Sequence, residues 1–281
     1  MDGRTTMNRN ELTERLFPIE DKFLLGLKND WFTGSHKIVT VPEFAPKAIE
    51  WFKSTKINNI QGWELFPYTD VIMGCTHYIE SFIIRHGWDG FQILNQEYGY
   101  YAMQGKHGNN VGELEPNKPL IVSTPNWFYG DMRPEWDALL IECEQKNIDI
   151  HIDFAWITTA KGIEINLDHP RIQSFAMSMS KYAMQWNRVG IRWCKQRTMD
   201  SITMLNHYYK DVNSSLTSVG SFMIDNIPRD YAWNKYGNLY RLMCKELELY
   251  PTKMIHAVKV PGVEKPMGCG DLLVKAMEHG S

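Results

Sequence analysis

Short apolar runs alternate with amphipathic stretches from about residue 59 onward, and this alternation constrains the fold more than any other feature of the chain. Brief apolar runs are typical of buried strands, whereas apolar residues at helical spacing are typical of helices packed on a core. Strands are predicted at 70–73, 91–94, 120–123, 148–154, 174–177 and 189–193. Strands that alternate with helices predict an α/β fold, a three-layer sandwich with a mostly parallel sheet and helices on both faces.

Helices are predicted between these strands from the spacing of apolar residues. One covers 76–86 and ends at Gly87, and another begins near Pro134. Their apolar faces are Tyr78, Ile79, Phe82 and Ile83 in the first, and Trp136, Leu139, Leu140 and Cys143 in the second. A long helix is expected over 230–249, and the last thirty residues are expected to form an irregular tail with one short helix.

Composition argues against several classes of function. The chain has 281 residues, enough for one large domain with or without a small appendage, and its net charge is −3. This near-neutral charge does not favour a nucleic acid or an anionic membrane as a partner. The nine histidines show no metal-ligand spacing, so no metal site is expected. No apolar run approaches the roughly 18 residues that a membrane-spanning helix needs.

The five cysteines are scattered, and none forms a C-x-x-C pair. An odd, scattered set argues against a disulfide framework or a zinc ribbon and favours a reducing compartment. The stretch 1–16 is polar and contains acidic residues, unlike a secretory signal. Together these features predict a cytoplasmic protein.

Four short motifs stand at or next to the ends of predicted strands. They are Gly74-Cys75-Thr76, Thr124-Pro125-Asn126-Trp127-Phe128-Tyr129-Gly130, Asp153-Phe154-Ala155-Trp156, and Ser178-Met179-Ser180-Lys181 with Arg188-Val189-Gly190 after a short loop. In open parallel sheets, ligands bind outside the carboxyl ends of the strands. The position of the motifs therefore predicts a binding site there.

Several residues in these motifs have side chains or amides with distinct chemical abilities. A lysine amine such as that of Lys181 can form a Schiff base with a carbonyl. The amide groups of 74–76, at a helix N-terminus, favour a phosphate dianion. The hydroxyls of Ser178 and Ser180 and the planar fork of Arg188 can complete the phosphate site.

Each motif read alone also has an ordinary structural explanation. The sequence Ser-x-Ser-Lys is common in solvated turns, and Asp153 could cap a helix or pair with a cation. Tyr98 taken alone is more often a core residue than a cofactor platform. Cys75 at a helix start could instead be a reactive thiol, because a helix N-terminus lowers the pKa of a cysteine. The interpretation therefore depends on the four motifs together and in order.

In that order, and at about this spacing, the motifs resemble those of the pyridoxal-phosphate-dependent aminotransferase superfamily of fold type I. The resemblance covers about residues 70–190, and a weaker likeness continues to the end. It implies the fold of that family's major domain and pyridoxal 5'-phosphate as cofactor. It also implies an enzyme that transfers an amino group between an amino acid or amine and a keto acid or aldehyde. Lys181 would form the internal aldimine and then act as general base and acid.

The resemblance also implies roles for individual residues. Asp153 would face the pyridine nitrogen and keep it protonated, and Tyr98 would stack on the cofactor ring. Asn126 would contact the phenolic oxygen, with Trp127 standing where the family's asparagine aligns. Trp156 replaces a tyrosine that normally donates to the same oxygen. The full expected cofactor-binding set is Gly74, Cys75, Thr76, Tyr98, Asn126, Asp153, Trp156, Ser178, Ser180 and Arg188.

Compared with the family, the chain is short at both ends. The expected division is an N-terminal arm (1–45), a cofactor-binding major domain (46–248) and a truncated remnant of the small C-terminal domain (249–281). No motif selects the arginine that binds the substrate carboxylate from Arg192, Arg229 and Arg241. The loop between Lys181 and Arg188 is one residue shorter than usual. The family implies a homodimer.

Two other functions remain open at this point. The same scaffold hosts pyridoxal-phosphate lyases, decarboxylases and enzymes that form C–C bonds, and the fold does not decide among them. The two tryptophan replacements and the short C-terminal part would also suit a degenerate homologue that binds cofactor or a partner without catalysis. The presence of Lys181, Asp153 and Arg188 together argues against that last reading.

Overall fold

The computed structural model describes residues 7–279 except 183, 185 and 186. Its α-helices are α1 (Lys22–Thr33), α2 (Val41–Lys53), α3 (Gly74–His86), α4 (Gly99–Met103), α5 (Trp136–Gln145), α6 (Ser201–Thr203), α7 (Ser214–Asn226), α8 (Tyr231–Glu246) and α9 (Gly270–His279). The strands are β1 (Asn59–Gln61), β2 (Tyr68–Ile72), β3 (Leu120–Ser123), β4 (Ile150–Asp153), β5 (Glu164–Asn166), β6 (Ile172–Ser178), β7 (Gly190–Cys194), β8 (Tyr250–Pro251), β9 (Ala257–Lys259) and β10 (Met267–Gly268). Short 3₁₀ turns lie at Arg9–Glu11, Trp63–Leu65, Ile157–Thr159 and Met179–Lys181, and a π-helical segment follows α6 at Met204–Tyr209.

The main sheet has five strands in the order β2-β7-β6-β4-β3. β3, β4 and β6 pair in parallel, while β7 runs antiparallel to both β6 and β2. Two isolated parallel bridges, Gln92 to Leu120 and Leu94 to Asn109, continue the hydrogen bonding beyond β3. The predicted α/β fold with a mostly parallel sheet is confirmed, and the antiparallel β7 makes the sheet mixed.

Side chains alternate between the two faces of the sheet, and helices cover both. Ile152 in β4 and Phe175 in β6 belong to a core cluster that also contains Phe52 of α2. Ala176, the residue after Phe175 in β6, belongs to a second cluster with Phe82 of α3. Because successive residues of a strand point to opposite faces, this division places α2 and α3 on opposite sides of the sheet. The result is the predicted three-layer arrangement.

A buried ion network joins β2, β7 and α6 on the α3 side of the sheet. Arg192 of β7 donates to Asp70 Oδ2 of β2 at 2.5 Å and to Thr203 Oγ1 of α6 at 3.0 Å. It also pairs with Asp200, which precedes α6. Arg192, Asp70 and Thr203 are buried, and the side chain of Asp200 is 8% exposed. Burial pushes the pKa of Asp200 upward, but the hydrogen bonds from Arg192 hold it below its ordinary value. The network therefore fixes the edge of the sheet next to α3.

The C-terminal part is more regular than the sequence indicates. β8, β9 and β10 form a small antiparallel sheet in the order β10-β9-β8, and α9 packs on α8. The prediction of an irregular tail was wrong, although its one helix is present. Proline does not exclude a strand here, because Pro251 lies in the edge strand β8, where a missing N–H group is tolerated.

All five cysteines are buried and unpaired. Within the described ranges, no helix combines the length and apolar character that crossing a membrane requires.

Candidate active site

A cleft of about 640 Å³ opens where β4 and β6 end and α3 begins. This volume lies within the usual range for sites that bind small molecules and cofactors. Most of the predicted site residues line the cleft, namely Cys75, Thr76, Tyr98, Asp153, Trp156, Ser180, Lys181 and Arg188. Ser178 stands directly behind this wall, with its Oγ 2.7 Å from that of Ser180. The structure therefore gathers residues that are more than a hundred positions apart in the chain.

The start of α3 provides a corner suited to an anion. Gly74 has φ +79°, and a Cβ there would lie 2.9 Å from Cβ of Arg188, so the position requires glycine on both grounds. Among the residues that the structure describes, no side chain hydrogen-bonds to the amides of the first turn. Arg188 Nη1 donates to Thr76 Oγ1 at 3.4 Å. Amides, hydroxyls and a guanidinium thus converge where the helix dipole favours negative charge.

Asp153 ends β4 at the buried side of the cleft. Its Oδ1 accepts a hydrogen bond from Ala155 N at 2.9 Å. Burial raises the pKa of Asp153 and outweighs the opposing effects of the hydrogen bond from the Ala155 amide and of the nearby charge of Lys181. A carboxylate in this position gains stability from a cationic hydrogen-bond donor placed against it.

Cys75 is not suited to act as a reactive thiolate. Burial, followed by the nearby charge of Asp153, raises the pKa of its thiol well above the ordinary value. Its Sγ donates to the carbonyl oxygen of Ala176 at 3.5 Å. The local environment therefore overrides the effect of the helix N-terminus, and the thiol stays protonated.

Lys181 is partly buried at the end of the 3₁₀ turn that follows β6. Its Nζ lies 4.1 Å from the centroid of the Trp156 ring. Burial lowers the pKa of Lys181, and Arg188 lowers it further, while Asp153 and Cys75 oppose the shift. A larger fraction of the amine is therefore neutral and nucleophilic at neutral pH than for an exposed lysine.

His256 lies behind Trp156, and no sequence pattern had singled it out. The two rings are 4.7 Å apart between centroids. His256 is fully buried, and neither ring nitrogen has a hydrogen-bond partner among the described residues. Burial, with a contribution from Lys181, lowers its pKa to about 3. The imidazole is therefore neutral and adds no positive charge next to Lys181.

This buried imidazole gives a testable dependence of stability on pH. Between about pH 6.5 and about pH 3, the unfolded chain binds a proton that folded His256 does not. The free energy of unfolding should therefore fall with falling pH by about 1.4 kcal/mol per pH unit from this residue alone. In denaturant titrations between pH 7 and pH 5, His256→Leu should show a shallower decline than the wild type. The exposed control His107→Leu should follow the wild type, and an unchanged slope in His256→Leu would contradict the assignment.

Asn126 is not placed in the cleft. Its Nδ2 donates to the carbonyl oxygen of Gln96 at 3.1 Å, and its Oδ1 accepts from Phe128 N at 2.8 Å. Both ends of the amide therefore stabilise the turn after β3, as asparagine commonly does. Trp127 lines the cleft instead, with its Nε1 donating to the carbonyl oxygen of Glu97 at 3.0 Å. Sequence spacing could not show which of the two neighbours faces inward.

The three arginines considered for a substrate carboxylate lie elsewhere. Arg192 belongs to the buried ion network, and Arg229 is buried against the carbonyl oxygens of Ile157 and Thr158. Arg241 is exposed on α8 and does not line the cleft. The cleft contains Arg15 instead, in the N-terminal segment, which no motif had indicated. In the part of the chain that the structure describes, no cluster of three or more acidic, histidine or cysteine side chains could hold a metal ion.

No protein-family model and no curated protein sequence matches the chain. Among solved structures, YbdL from Escherichia coli, described as having a methionine aminotransferase function, is similar with a TM-score of 0.58 and 15% identity. That match covers 91% of this chain and 78% of YbdL.

Two other similar structures are an aminotransferase and a lyase. An aspartate aminotransferase mutant from Thermus thermophilus has a TM-score of 0.55 at 13% identity, over 88% of this chain and 78% of the other. A pyridoxal-phosphate-bound C-S lyase from Staphylococcus hominis has a TM-score of 0.55 at 13% identity, over 87% and 74%. Such similarity at low identity shows a shared fold. The chain therefore has the fold of the fold type I pyridoxal-phosphate enzymes.

Proposed function

We propose that the protein is a pyridoxal-phosphate-dependent enzyme that transfers amino groups between an amino acid or amine and a keto acid or aldehyde. One observation carries the proposal. A single cleft contains the Lys181 amine, the buried Asp153 carboxylate and the N-terminus of α3. Fold alone does not decide function, so the residues of the cleft are the argument.

The donor set fits the cofactor at each of its polar ends. The amides at the start of α3, with Thr76, Ser180 and Arg188, would hold the phosphate. Asp153, whose pKa burial raises, would gain a cationic partner in a protonated pyridine nitrogen. The aromatic residues Tyr98 and Trp156 line the same cleft and would contact the ring. We also propose that Gly74, Cys75 and Ser178 contact the cofactor. Asn126 is not proposed as a contact, because its side chain forms hydrogen bonds that stabilise the turn after β3.

The chain's own residues would then perform the proton transfers. Bound in the cleft, pyridoxal phosphate supplies the electron sink that makes a substrate C–H bond acidic. Lys181 Nζ, with its lowered pKa, can attach the cofactor and, once an incoming amine has displaced it, serve as the base. The Trp156 ring packed against Nζ limits access of water to the amine. Arg188, bonded to Thr76, would keep the phosphate end in place.

We favour amino transfer over elimination because the similar solved structures are mostly aminotransferases, with some C-S lyases and decarboxylases among them. The reaction class is tested by a half-reaction. The protein loaded with pyridoxal phosphate is mixed with an amino acid alone, and the absorbance of the bound cofactor is followed. An aminotransferase converts the cofactor stoichiometrically to pyridoxamine phosphate and releases one keto acid. A lyase or decarboxylase instead regenerates the starting cofactor, which would overturn the proposed reaction but not the proposed cofactor.

The proposal also includes the organisation expected from the resemblance. Residues 1–45 would form an arm, 46–248 the cofactor-binding domain and 249–281 a small C-terminal part. Its strands β8–β10 and helix α9 are consistent with a separate small unit packed on α8. We further propose a homodimer, as the resemblance implies.

A further inference from the structure

The N-terminal segment forms one wall of the cleft. Residues 15–18 line the same cavity as Lys181 and Arg188. Arg15 and Phe17 are exposed, whereas Ile19 just beyond is buried in the core. A segment remote from Lys181 in sequence thus contributes a cation and apolar groups to the site.

The C-terminal sheet holds this segment in place. Thr13 pairs with Gly268 of β10 through two backbone hydrogen bonds, of 2.9 Å and 2.6 Å. Thr13 Oγ1 also donates to the carbonyl oxygen of Arg15 at 2.8 Å. These bonds place the backbone of Arg15 against β10. They therefore fix the point from which its side chain extends.

Two glycines allow the close approach. A Cβ at Gly268 would lie 2.2 Å from the carbonyl oxygen of Arg15, and one at Gly270 would lie 3.2 Å from that of Phe17. Any larger residue at 268 would displace the segment, because the atom it meets belongs to the backbone. Gly268 and Gly270 therefore form the surface on which the segment that carries Arg15 packs.

The three cationic side chains of the cleft differ in the contacts that they make. Arg188 donates to Thr76 at the anion corner, and Lys181 lies against Trp156. The guanidinium of Arg15, by contrast, has no hydrogen bond or ion pair with any residue that the structure describes. With the phosphate at α3 and the cofactor ring at Asp153, Arg15 is the cation that remains on the cleft wall for a further anion.

We propose that Arg15 binds the carboxylate of the substrate, and that Gly268 and Gly270 position it. This inference rests on the proposed function, because it needs the cofactor to occupy the inner part of the cleft. A guanidinium can hold a carboxylate through two parallel hydrogen bonds. Phe17, Met103 and Trp127 line the cleft as well. The substrate class is therefore an amino acid with an apolar side chain, recognised by its carboxylate.

The test compares ligands that differ only in the carboxylate. L-Leucine, L-methionine and L-phenylalanine, and the amines that lack their carboxylates, are titrated against the loaded protein by the absorbance of the bound cofactor. Arg15→Gln should weaken the apparent affinity for the amino acids by roughly 10- to 100-fold, the usual worth of hydrogen bonds to a charged group. Affinity for the amines should stay within about 2-fold, and Arg15→Lys should be intermediate.

Matched variants separate this role from general damage. Arg241→Gln removes the same charge from an exposed site on α8 outside the cleft and should behave as the wild type. Gly268→Ala should reproduce the selective loss for amino acids, because it displaces the backbone of Arg15. Equal losses for amino acids and amines in Arg15→Gln, or no loss, would overturn the proposal.

A separate titration distinguishes failure of this inference from failure of the proposed function. Pyridoxal phosphate is titrated into the wild type and into Arg15→Gln, with no amino acid present. We expect the same affinity in both. If the wild type does not bind the cofactor, the proposed function fails and the role of Arg15 fails with it. Normal binding of the cofactor without discrimination between amino acid and amine would overturn only the role of Arg15.

Discussion

The Lys181→Ala variant is expected to lose covalently retained pyridoxal phosphate and to lose activity by roughly 10²–10⁴-fold, the usual contribution of a positioned acid–base group. The physical reason is the combination of position and pKa. Lys181 Nζ lies in the cleft against Trp156, and burial lowers its pKa. Neither the attachment nor the proton transfer has a substitute, because no other lysine lines the cleft among the described residues.

The control for this variant is Lys245→Ala. Lys245 is exposed in the last turn of α8, outside the cleft. The Lys245→Ala variant should retain the cofactor and the catalytic rate of the wild type. Retained cofactor after borohydride reduction in Lys181→Ala, with activity within a few-fold of the wild type, would show that the lysine has been assigned wrongly.

The second large effect concerns stability. Replacing Arg192 with leucine should lower the free energy of unfolding by about 3–5 kcal/mol, because it leaves the buried carboxylates of Asp70 and Asp200 without their cation. The loss should appear in denaturant titrations at pH 7. Arg192→Lys keeps a charge but cannot donate to both carboxylates and Thr203 in the same planar geometry, so it should lose less than leucine does.

An exposed ion pair provides the comparison. Arg9 pairs with Glu248 at 3.2 Å, with side chains 41% and 87% exposed. Arg9→Leu should cost only about 0–1 kcal/mol, as exposed pairs usually do. If Arg192→Leu cost no more than Arg9→Leu, the buried network would not be stabilising the edge of the sheet beside α3.

Much of the cleft follows from the order of the motifs in the sequence. Asp153 and Ser178 end neighbouring parallel strands, and Gly74 begins the helix after β2. Because the carboxyl ends of parallel strands meet at one edge of a sheet, residues that follow them in sequence must lie close together. The same argument brings Lys181 and Arg188 to this edge, one after β6 and the other before β7.

The remainder depends on contacts that no local pattern encodes. Thr13 pairs with Gly268, 255 positions away, so the placement of Arg15 in the cleft cannot be inferred from its neighbours. The burial of His256 likewise depends on packing against Trp156 from a distant segment. Asn126 lies outside the cleft for a local reason. Its side chain forms hydrogen bonds that stabilise a turn, and a comparison of motifs does not show such bonds.

The central claim is that Lys181 holds pyridoxal phosphate in this cleft, and covalent trapping tests it most directly. The wild-type protein is incubated with pyridoxal phosphate, reduced with borohydride, digested and examined by mass spectrometry. We expect the reduced cofactor on the peptide that contains Lys181, together with loss of the absorbance band of the Schiff base that the cofactor forms with this lysine. A protein that carries no label after reduction, or a label confined to other lysines, would contradict the account.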